Sequence, residues 1–432
     1  MKIAIWHNLP SGGGKRALFN QVRGLAERGH HVEIWCPENS DRDFLPLDGI
    51  AKEHRLPLHE GEPATGRLDL ARAWSETRGI LHDLEALSRH CRACAAEINE
   101  GGFDVVLSHS SKLFYMHPLA QFLRIPAAIY LHEVYRELYE ARPRLVWQAM
   151  GRNGHPGWSP RGVSRFLADA VRTYGFRVQA REERAAAAQF EMILVNSLFS
   201  RESVVRTYGL DAEVCYLGID TDRFTPGEGT REDYVLGVGG LYAPKGAHLA
   251  IEALALLPPE QRMPLRWLGN FSDPAYLASC RALADEKGVA FDFREMASEA
   301  ELLEAMQRAR LVVFPAVLEP FGYVPLEANA CGTPVVAVAE GGLRETVKND
   351  VNGILSASRD PGGLARAIER VIGDEQRYAR LCASAREEVL KHWGWSEAID
   401  RLEAFLRAAT ERGRPRGGAP ARSDVFAVSG TS

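Results

Sequence analysis

Residues 2–36 read KIAIWHNLPSGGGKRALFNQVRGLAERGHHVEIWC, and this segment decides the fold. Residues 2–7 are apolar enough for a buried strand, and a polar glycine loop follows them. Residues 16–28 place apolar side chains at helical spacing, Gly29 suits the end of that helix, and residues 31–36 form a second strand. This order of strand, helix and strand indicates a parallel sheet with a crossover helix.

The same alternation continues along the rest of the chain. Residues 225–229, TPGEG, have the composition of a linker and separate two similar halves. Strands that alternate with long helices favour a parallel sheet covered on both faces. We therefore predict an α/β fold with two doubly wound, Rossmann-like domains that face an interdomain cleft. The further predicted strands are 105–107, 127–131, 193–195, 234–238, 265–268, 289–293, 311–314 and 334–338. The predicted divisions are a domain 1–224, a domain 225–394, a C-terminal helix 395–412 and a disordered tail 413–432.

The composition is that of an ordinary globular protein, with 52 basic and 57 acidic residues and a net charge of −5. Such mild acidity gives no reason to expect binding to nucleic acid. No apolar stretch reaches the roughly 18 residues that a membrane span needs. The first residues read as a strand and not as a signal peptide, so we expect a cytoplasmic protein.

Seven cysteines are scattered through the chain. Cys91 and Cys94 form a C-x-x-C pattern inside the helix-like run 81–98. A structural zinc site would need a second such pair, and a redox pair would follow a strand directly. We interpret both residues as small apolar side chains on a helix, and the sequence predicts no metal site.

Residues 319–328 read EPFGYVPLEA and carry the strongest chemical signal. They follow the predicted strand 311–314 and lead into a short helix that Pro325 is expected to open. Free amides at a helix N-terminus attract phosphate, and Gly322 lets the backbone approach a ligand. Glu327 can accept two hydrogen bonds from ribose hydroxyls, and Glu319 is placed for the hydroxyls of a sugar. Taken alone, the two glutamates are explained equally well as a helix-dipole acid and a surface charge.

Seven residues separate Glu319 from Glu327, and the chain continues as ANACGTPVVA (328–337) and EGGLRE (340–345). The sequence GIDTDRF (218–224) precedes the linker. Together these motifs resemble the signature of retaining glycosyltransferases of family four, which have the GT-B architecture. The resemblance extends from the glycine loop at residue 12 to the helix after Trp395. It implies an acceptor-side N-terminal domain and a C-terminal domain that binds a nucleotide sugar.

The resemblance also implies roles for residues of the C-terminal domain. Glu327 resembles the residue that binds the ribose, and Glu319 resembles the one that contacts the donor sugar. Lys245 looks like the lysine that holds the diphosphate. The family usually has an arginine five residues before that lysine, where this chain has Gly240, so one phosphate-binding charge is missing. The other implied donor-binding residues are Phe321, Gly322, Tyr323, Val324 and Leu326.

In the N-terminal domain, Gly12 and Gly13 match the loop whose amides approach the donor phosphates. Taken alone, this loop has the glycine spacing of neither a P-loop nor a dinucleotide-binding motif. Without the resemblance, we would interpret it as an ordinary turn between a strand and a helix. His132 resembles the histidine that contacts the donor sugar, and we place it with Lys245 and Glu319 in the catalytic set. His109 is a weaker match that we assign to the acceptor side. Both histidines are expected to follow strands.

Residues 136–184 contain ten arginines and only five acidic residues, interleaved with aromatic residues. One interpretation is a peripheral patch that contacts anionic lipid at the inner face of the membrane. The other is a solvated helical excursion, which we favour slightly.

The resemblance implies a metal-independent, retaining glycosyltransferase that moves a sugar from a nucleoside-diphosphate sugar to a hydroxyl acceptor, with no bound cofactor. The acceptor is a glycan, a lipid-linked glycan or a small molecule. A nucleotide-sugar epimerase of the same fold and a non-catalytic sugar-nucleotide-binding relative stay open as alternatives. An NAD-dependent oxidoreductase would need G-x-G-x-x-G after the first strand, which this chain lacks.

Overall fold

The structure, a computed structural model, describes residues 1–61, 65, 68–140 and 160–413. Its strands form two sheets, and the paired strands are parallel throughout. The strands are β1 (Lys2–Asn8), β2 (His31–Pro37), β3 (Lys52–Leu56), β4 (Val105–Ser111), β5 (Ala127–Leu131), β6 (Met192–Val195), β7 (Glu213–Val214), β8 (Val235–Val238), β9 (Leu265–Gly269), β10 (Phe291–Glu295), β11 (Leu311–Phe314), β12 (Val335–Val338) and β13 (Gly353–Ser356).

The first sheet has the order β3-β2-β1-β4-β5-β6-β7, and the second has the order β10-β9-β8-β11-β12-β13. The strand order therefore reverses direction between β1 and β4 in the first sheet and between β8 and β11 in the second. In open α/β sheets, ligands bind beyond the carboxyl ends of the strands at such reversal points. Most of the residues predicted to bind ligand lie at these two points, either at the end of a strand or in the loop that follows it.

Helices connect the strands along the described chain. They are α1 (Gly13–Glu27), α2 (Asp69–Glu100), α3 (Arg136–Tyr139), α4 (Pro160–Ala187), α5 (Leu198–Tyr208), α6 (Ala247–Ala255), α7 (Pro274–Lys287), α8 (Glu299–Arg308), α9 (Tyr323–Ala330), α10 (Leu343–Thr346), α11 (Pro361–Ile372), α12 (Glu375–His392) and α13 (Trp395–Arg412). Short 3₁₀ turns cover Pro118–Phe122, Ala243–Lys245 and Pro259–Gln261.

Both faces of the first sheet are buried. Ile3 and Ile5 of β1 face a core that is continuous with that of the second sheet, whereas Ala4 and Trp6 face a separate core on the other side. A parallel sheet needs this covering because its crossover helices lie on its faces. The two-domain α/β arrangement predicted from the strand pattern is the one observed, whereas the exact boundary at residue 225 stays a prediction.

The C-terminal helix α13 returns to the N-terminal sheet. Its start is fixed by a bridge between Gly394 and Ile219, and Ile399 packs against Gly24 of α1. The helix predicted for residues 395–412 therefore joins the two halves of the chain. The tail predicted to be disordered lies outside the described residues from 414 onward.

Cys91 and Cys94 are buried free thiols inside α2, as the helix interpretation predicted.

Two local predictions were wrong. Helix α9 begins at Tyr323 and not at Pro325, because Gly322 adopts a left-handed conformation (φ 102°) and turns the chain there. The proline is therefore the third residue of the helix.

The placement of His109 after a strand was also wrong. Strand β4 continues to Ser111, which pairs with Asn8 at the end of β1, so His109 lies inside the sheet. The strand predicted at 289–293 is observed two residues later, as β10. In both cases a neighbouring strand sets the ends of the element, and this pairing is not visible in the local pattern.

The contact between α1 and α13 can be tested by Gly24→Ala. A methyl group at Gly24 would lie 2.5 Å from Cγ1 of Ile399, so a helix or side chain must shift. We expect a net loss of about 1–3 kcal/mol in the free energy of unfolding, although alanine is the better helix former. The matched control is Gly79→Ala in α2, where a methyl group meets nothing within 4 Å and a gain of roughly 0.5–1 kcal/mol is expected. Chemical denaturation measures both, and a gain in both variants would contradict the packing.

Candidate functional site

Lys245 and Glu319, 74 residues apart, meet at the reversal point of the second sheet. Lys245 ends the 3₁₀ turn after β8, and Glu319 lies on the loop after β11. Its Nζ donates to Oε2 of Glu319 at 2.8 Å, and both side chains are about four-fifths buried (22% and 20% exposed). Burial opposes the charge on Lys245, but the adjacent carboxylate more than offsets this and raises the pKa of the lysine. The site therefore holds a charged ammonium in a partly dry environment.

Glu327 lies one turn inside α9, where its side chain is buried. Burial raises the pKa of its carboxyl group, and Arg16 of α1 limits that rise. The Nε atom of Arg16 lies 3.6 Å from Oε1 of Glu327. The same guanidinium donates two hydrogen bonds to Glu299 of α8, at 3.0 and 2.6 Å. An arginine of the N-terminal domain thus bridges two carboxylates of the C-terminal domain.

A cavity of about 220 Å³ opens beside this bridge and has walls from both domains. Ligand pockets usually measure about 300–1,000 Å³, so this cavity is smaller than a nucleotide sugar needs. Arg16, Tyr323 and Glu327 lie on its wall. A nucleotide that reached Glu327 through this cavity would therefore have to displace Arg16 from its wall.

The other predicted donor-binding residues lie in α9 or directly before it, and most of their side chains are turned into the protein. The side chains of Phe321 and Leu326 are buried in the core, and that of Val324 is half-buried. The side chain of Tyr323 approaches Gly13, so that a methyl group at this glycine would lie 3.8 Å from Cδ2 of the tyrosine. The glycine loop of residues 12–14 therefore faces the start of α9 across the cleft.

Gly240 lacks room for the arginine that the family has there. Its φ is not in the left-handed region, but a Cβ atom would lie 2.5 Å from the ring of Phe271. Phe271 in turn stacks on Tyr242 at 5.5 Å between centroids. The ring of Phe271 therefore occupies the space that a side chain at position 240 would enter.

On the N-terminal side, His132 follows β5 and contacts His109 of β4. His132 Nε2 lies 3.2 Å from Nδ1 of His109, and the two rings are stacked. Burial lowers the pKa of His132 to about 4 and, together with the neighbouring His132, lowers that of His109 far below its usual value. Both imidazoles are therefore neutral at physiological pH. A methyl group at Gly14 would lie 3.5 Å from His132, which places this histidine against the glycine loop.

The segment 136–184 is described only at residues 136–140 and 160–184, as α3 and part of α4. Arg136 donates to the backbone carbonyl of Val317 at 3.0 Å, so the start of this segment contacts the C-terminal domain beside Glu319. Phe166 and Tyr174 are exposed on α4. No helix among the described residues has both the length and the apolar character required to cross a bilayer.

Some residues of the cleft were missed from the sequence. Arg16 follows the glycine loop, and Glu299 opens α8, but only the fold brings them together. Glu345 accepts hydrogen bonds from the backbone amides of Leu198 and Phe199 at the start of α5, across the domain boundary. The glycine-rich pattern at residue 340 could have indicated a loop here, but its partner helix could not be inferred.

Comparison with known proteins decides the family. Residues 11–223 match the family described as "Glycosyltransferase Family 4", and residues 218–388 match "Glycosyl transferases group 1". A D-inositol 3-phosphate glycosyltransferase of Stackebrandtia nassauensis is 33% identical over 93% of this chain and 88% of its own length. The chain belongs to glycosyltransferase family 4. The family predicted from the sequence motifs is confirmed.

Other relatives of this family 4 chain are matched over less of their length. D-inositol 3-phosphate glycosyltransferases of Catenulispora acidiphila and Xylanimonas cellulosilytica are both 33% identical, over 54% of this chain. The matches span only 61% and 60% of these two relatives.

Solved structures of the same architecture extend over nearly the whole chain. Anabaena HepE in complex with UDP and glucose aligns with a TM-score of 0.66 at 19% identity, over 94% of this chain and 100% of HepE. Sucrose-phosphate synthase of Thermosynechococcus elongatus aligns with a TM-score of 0.68 at 21% identity, over 94% and 98%. At this identity the likeness shows the fold alone. The GT-B architecture predicted from the sequence is confirmed.

Proposed function

We propose that this family 4 chain is a retaining glycosyltransferase that moves a sugar from a nucleoside-diphosphate sugar to a hydroxyl acceptor. The observation that carries this proposal is the Lys245–Glu319 pair at the reversal point of the second sheet, with Glu327 on the adjacent helix. In this proposal the cation would hold the diphosphate, and the two carboxylates would accept hydrogen bonds from hydroxyls of the sugar and of the ribose. HepE, whose structure is titled as a complex with UDP and glucose, favours UDP-glucose as the first donor to test.

In this proposal Lys245 stabilises the negative charge that develops on the departing diphosphate. The first amides of α9 and of the loop at Gly12 and Gly13 supply further donors, because the first amides of a helix lack partners within it. Glu319 would then exchange its contact with Lys245 for hydroxyls of the sugar. We propose that this arrangement works without a metal ion or a bound cofactor.

Positioning would supply the other part of catalysis. The acceptor hydroxyl would attack on the face from which the diphosphate leaves, and no side chain is assigned as a nucleophile. His132 is neutral and is held by His109. It can accept a hydrogen bond from the sugar or donate one to it without adding charge. Holding the two substrates in such an orientation is itself a large contribution to rate.

We propose a phosphorylated polyol as the first acceptor to test, because several relatives are named D-inositol 3-phosphate glycosyltransferases. A glycan or lipid-linked glycan is the alternative that the family resemblance implies. A cytoplasmic location stays a prediction from the sequence.

A non-catalytic sugar-nucleotide-binding role is the second candidate, and Phe271 is the observation that favours it. The ring fills the space of the missing arginine, so position 240 supplies no charge to the diphosphate. A nucleotide-sugar epimerase is distinguished by its products in the absence of an acceptor. Binding of a UDP-sugar without turnover over a panel of polyol phosphates and glycans would favour the non-catalytic role.

The roles of the two glutamates can be separated by their ligands. Glu327→Gln should weaken UDP and UDP-glucose equally, because both carry the ribose. Glu319→Gln should weaken UDP-glucose much more than UDP. Hydrogen bonds to charged groups are worth about 1.5–3 kcal/mol, so losses of roughly tenfold to a hundredfold in affinity are expected. Calorimetric titration measures all four affinities, and equal losses of both ligands in both variants would refute the assignment.

Loss of the lysine should affect turnover more than folding. Lys245→Ala should lower kcat by about a hundredfold, by analogy with the loss of one oxyanion-stabilising donor. Because Glu319 is about four-fifths buried and loses its cation, the unfolding temperature should also fall, but the fall alone should not account for a hundredfold loss of turnover at a temperature where the variant is folded. The matched control is Lys287→Ala on α7, where the lysine pairs with Glu286 at the surface and turnover should be unaffected. Near-normal turnover of Lys245→Ala would mean that the diphosphate is held elsewhere.

Peripheral contact with an anionic membrane is a further proposal for the described part of residues 136–184. It rests on the exposed rings of Phe166 and Tyr174 and on Arg165, which is 75% exposed. Vesicles that contain anionic lipid should bind the protein at low salt, and Phe166→Ser with Arg165→Gln should weaken that binding. Arg294→Gln in the C-terminal domain is the control. Absence of binding at low salt would leave the solvated-helix interpretation.

A further inference from the structure

Ser197 connects the N-terminal domain to the loop that carries Glu319. This loop, residues 315–322, leads from β11 to α9 and is called the Glu319 loop below. Ser197 directly precedes α5 and is buried. Its hydroxyl oxygen lies 2.6 Å from the backbone carbonyl oxygen of Pro320. A carbonyl oxygen can only accept, so Ser197 donates its proton to the residue next to the proposed sugar-binding carboxylate.

The place of Ser197 as the N-cap of α5 explains only one of these contacts. As a cap, the hydroxyl oxygen accepts a hydrogen bond from the backbone amide of Ser200 at 3.0 Å. Asparagine and aspartate cap helices as well as serine does, because a cap needs an acceptor and no donor. The proton that Ser197 donates to Pro320 is therefore not required by α5.

The neighbours of Ser197 extend this network to His132. Asn196 donates from Nδ2 to the backbone carbonyl oxygen of His132 at 3.0 Å. Its Oδ1 accepts from the hydroxyl group of Ser200 at 2.7 Å. The side chains of Asn196 and Ser200 are buried, and a buried polar network whose members have partners is rigid. One short segment thus contacts both His132 and the Glu319 loop.

The Glu319 loop has a strained backbone at the residue before the glutamate. Leu318 adopts a left-handed conformation with φ of 45°, which is uncommon for a residue with a side chain. Such strain persists only where the surrounding contacts hold it, and it is frequent at functional sites. Arg136 donates to the carbonyl oxygen of Val317, directly before Leu318. Ser197 donates to the carbonyl oxygen of Pro320, two residues after it. The N-terminal domain therefore holds the loop on both sides of the strained residue.

Glu345 keeps the start of α5 against the C-terminal domain. Its carboxylate accepts hydrogen bonds from the backbone amides of Leu198 and Phe199 at 2.9 and 3.1 Å. The hydroxyl group of Tyr216 donates to the same carboxylate at 2.8 Å. A carboxylate at a helix N-terminus is stabilised by the helix dipole and by the free amides of the first turn. This contact holds the hydroxyl group of Ser197 opposite the Glu319 loop.

We propose that Asn196 and Ser197 are positioning residues for the donor sugar. Through them the N-terminal domain sets the distance between His132 and the Glu319 loop, which are the two groups proposed to contact the sugar. This inference rests on the proposed glycosyltransferase function. Recognition of the sugar then depends on the contact between the domains at α5. Binding of the nucleoside diphosphate, which these groups are not proposed to contact, does not depend on it.

The test measures the affinities of wild type and Ser197→Gly for UDP and UDP-glucose by calorimetric titration, at a temperature at which each variant is folded. Glycine is an acceptable N-cap, so this change removes the hydroxyl group at little cost to α5. We expect UDP-glucose to bind about threefold to tenfold more weakly, as for the loss of a neutral hydrogen bond, and UDP to stay within about twofold of wild type. Asp374→Gly, which removes the N-cap of α12, is the matched control and should leave the ratio of the two affinities unchanged.

A double variant separates positioning from a structural role. Because Ser197 is proposed to act through Glu319, Ser197→Gly should cause no further loss of UDP-glucose affinity in a protein that already carries Glu319→Gln. Asn196→Ala removes the hydrogen bond to His132 and keeps the N-cap of α5. It should also weaken UDP-glucose and spare UDP, so the inference can be tested even if Ser197→Gly fails to fold.

Three results would overturn the inference. They are an unchanged affinity for UDP-glucose in either folded variant, equal losses of UDP and UDP-glucose, and additive losses in the double variant. If the wild type binds neither ligand, the proposed function fails. If the wild type binds both and Ser197→Gly leaves the ratio of their affinities unchanged, only this inference fails.

Discussion

The guanidinium of Arg16 is the interaction on which the cleft depends. It extends from the first helix of the N-terminal domain and lies between Glu299 and Glu327 of the C-terminal domain. Removing one member of a largely buried charge network lowers stability, because the charges that remain lose their partner. Glu327 is also the proposed ribose ligand, so the contact that holds the domains together and the contact that binds the nucleotide share one carboxylate. Nucleotide binding is therefore expected to loosen or rearrange the interface between domains.

The two sides of the cleft carry complementary sets of groups. On the C-terminal side, a charged lysine is already paired with Glu319, so in the proposed function a diphosphate would replace one anionic partner of Lys245 with another. On the N-terminal side, the two neutral histidines contact each other, and His132 lies against the glycine loop. In the proposed function, the charged side would stabilise the departing diphosphate, and the neutral side would contact the sugar without adding charge. The parallel sheets determine this arrangement, since their strand ends converge at the two reversal points.

Much of the fold was predictable because parallel strands are apolar throughout and helices have a distinct period. The strand at 311–314, the loop with Glu319 and the short helix with Glu327 were all expected, and the motif spacing identified the family. Contacts between distant elements were not predictable. Neither the bridge from Arg16 to Glu299 nor the ring of Phe271 over Gly240 has a local signal in the sequence. The start of α9 was misplaced for a related reason, because Pro325 is a helix-opening residue in general, whereas here a left-handed Gly322 fixes the turn.

The most direct test of the account is a crystal structure of the protein with UDP-glucose. The account predicts that Nζ of Lys245 leaves Glu319 and lies within hydrogen-bonding distance of the diphosphate. It also predicts that the ribose hydroxyls replace Arg16 on Glu327, and that the sugar lies between Glu319 and His132. A nucleotide bound outside this cleft, with the Lys245–Glu319 pair and the Arg16 bridge both intact, would contradict it.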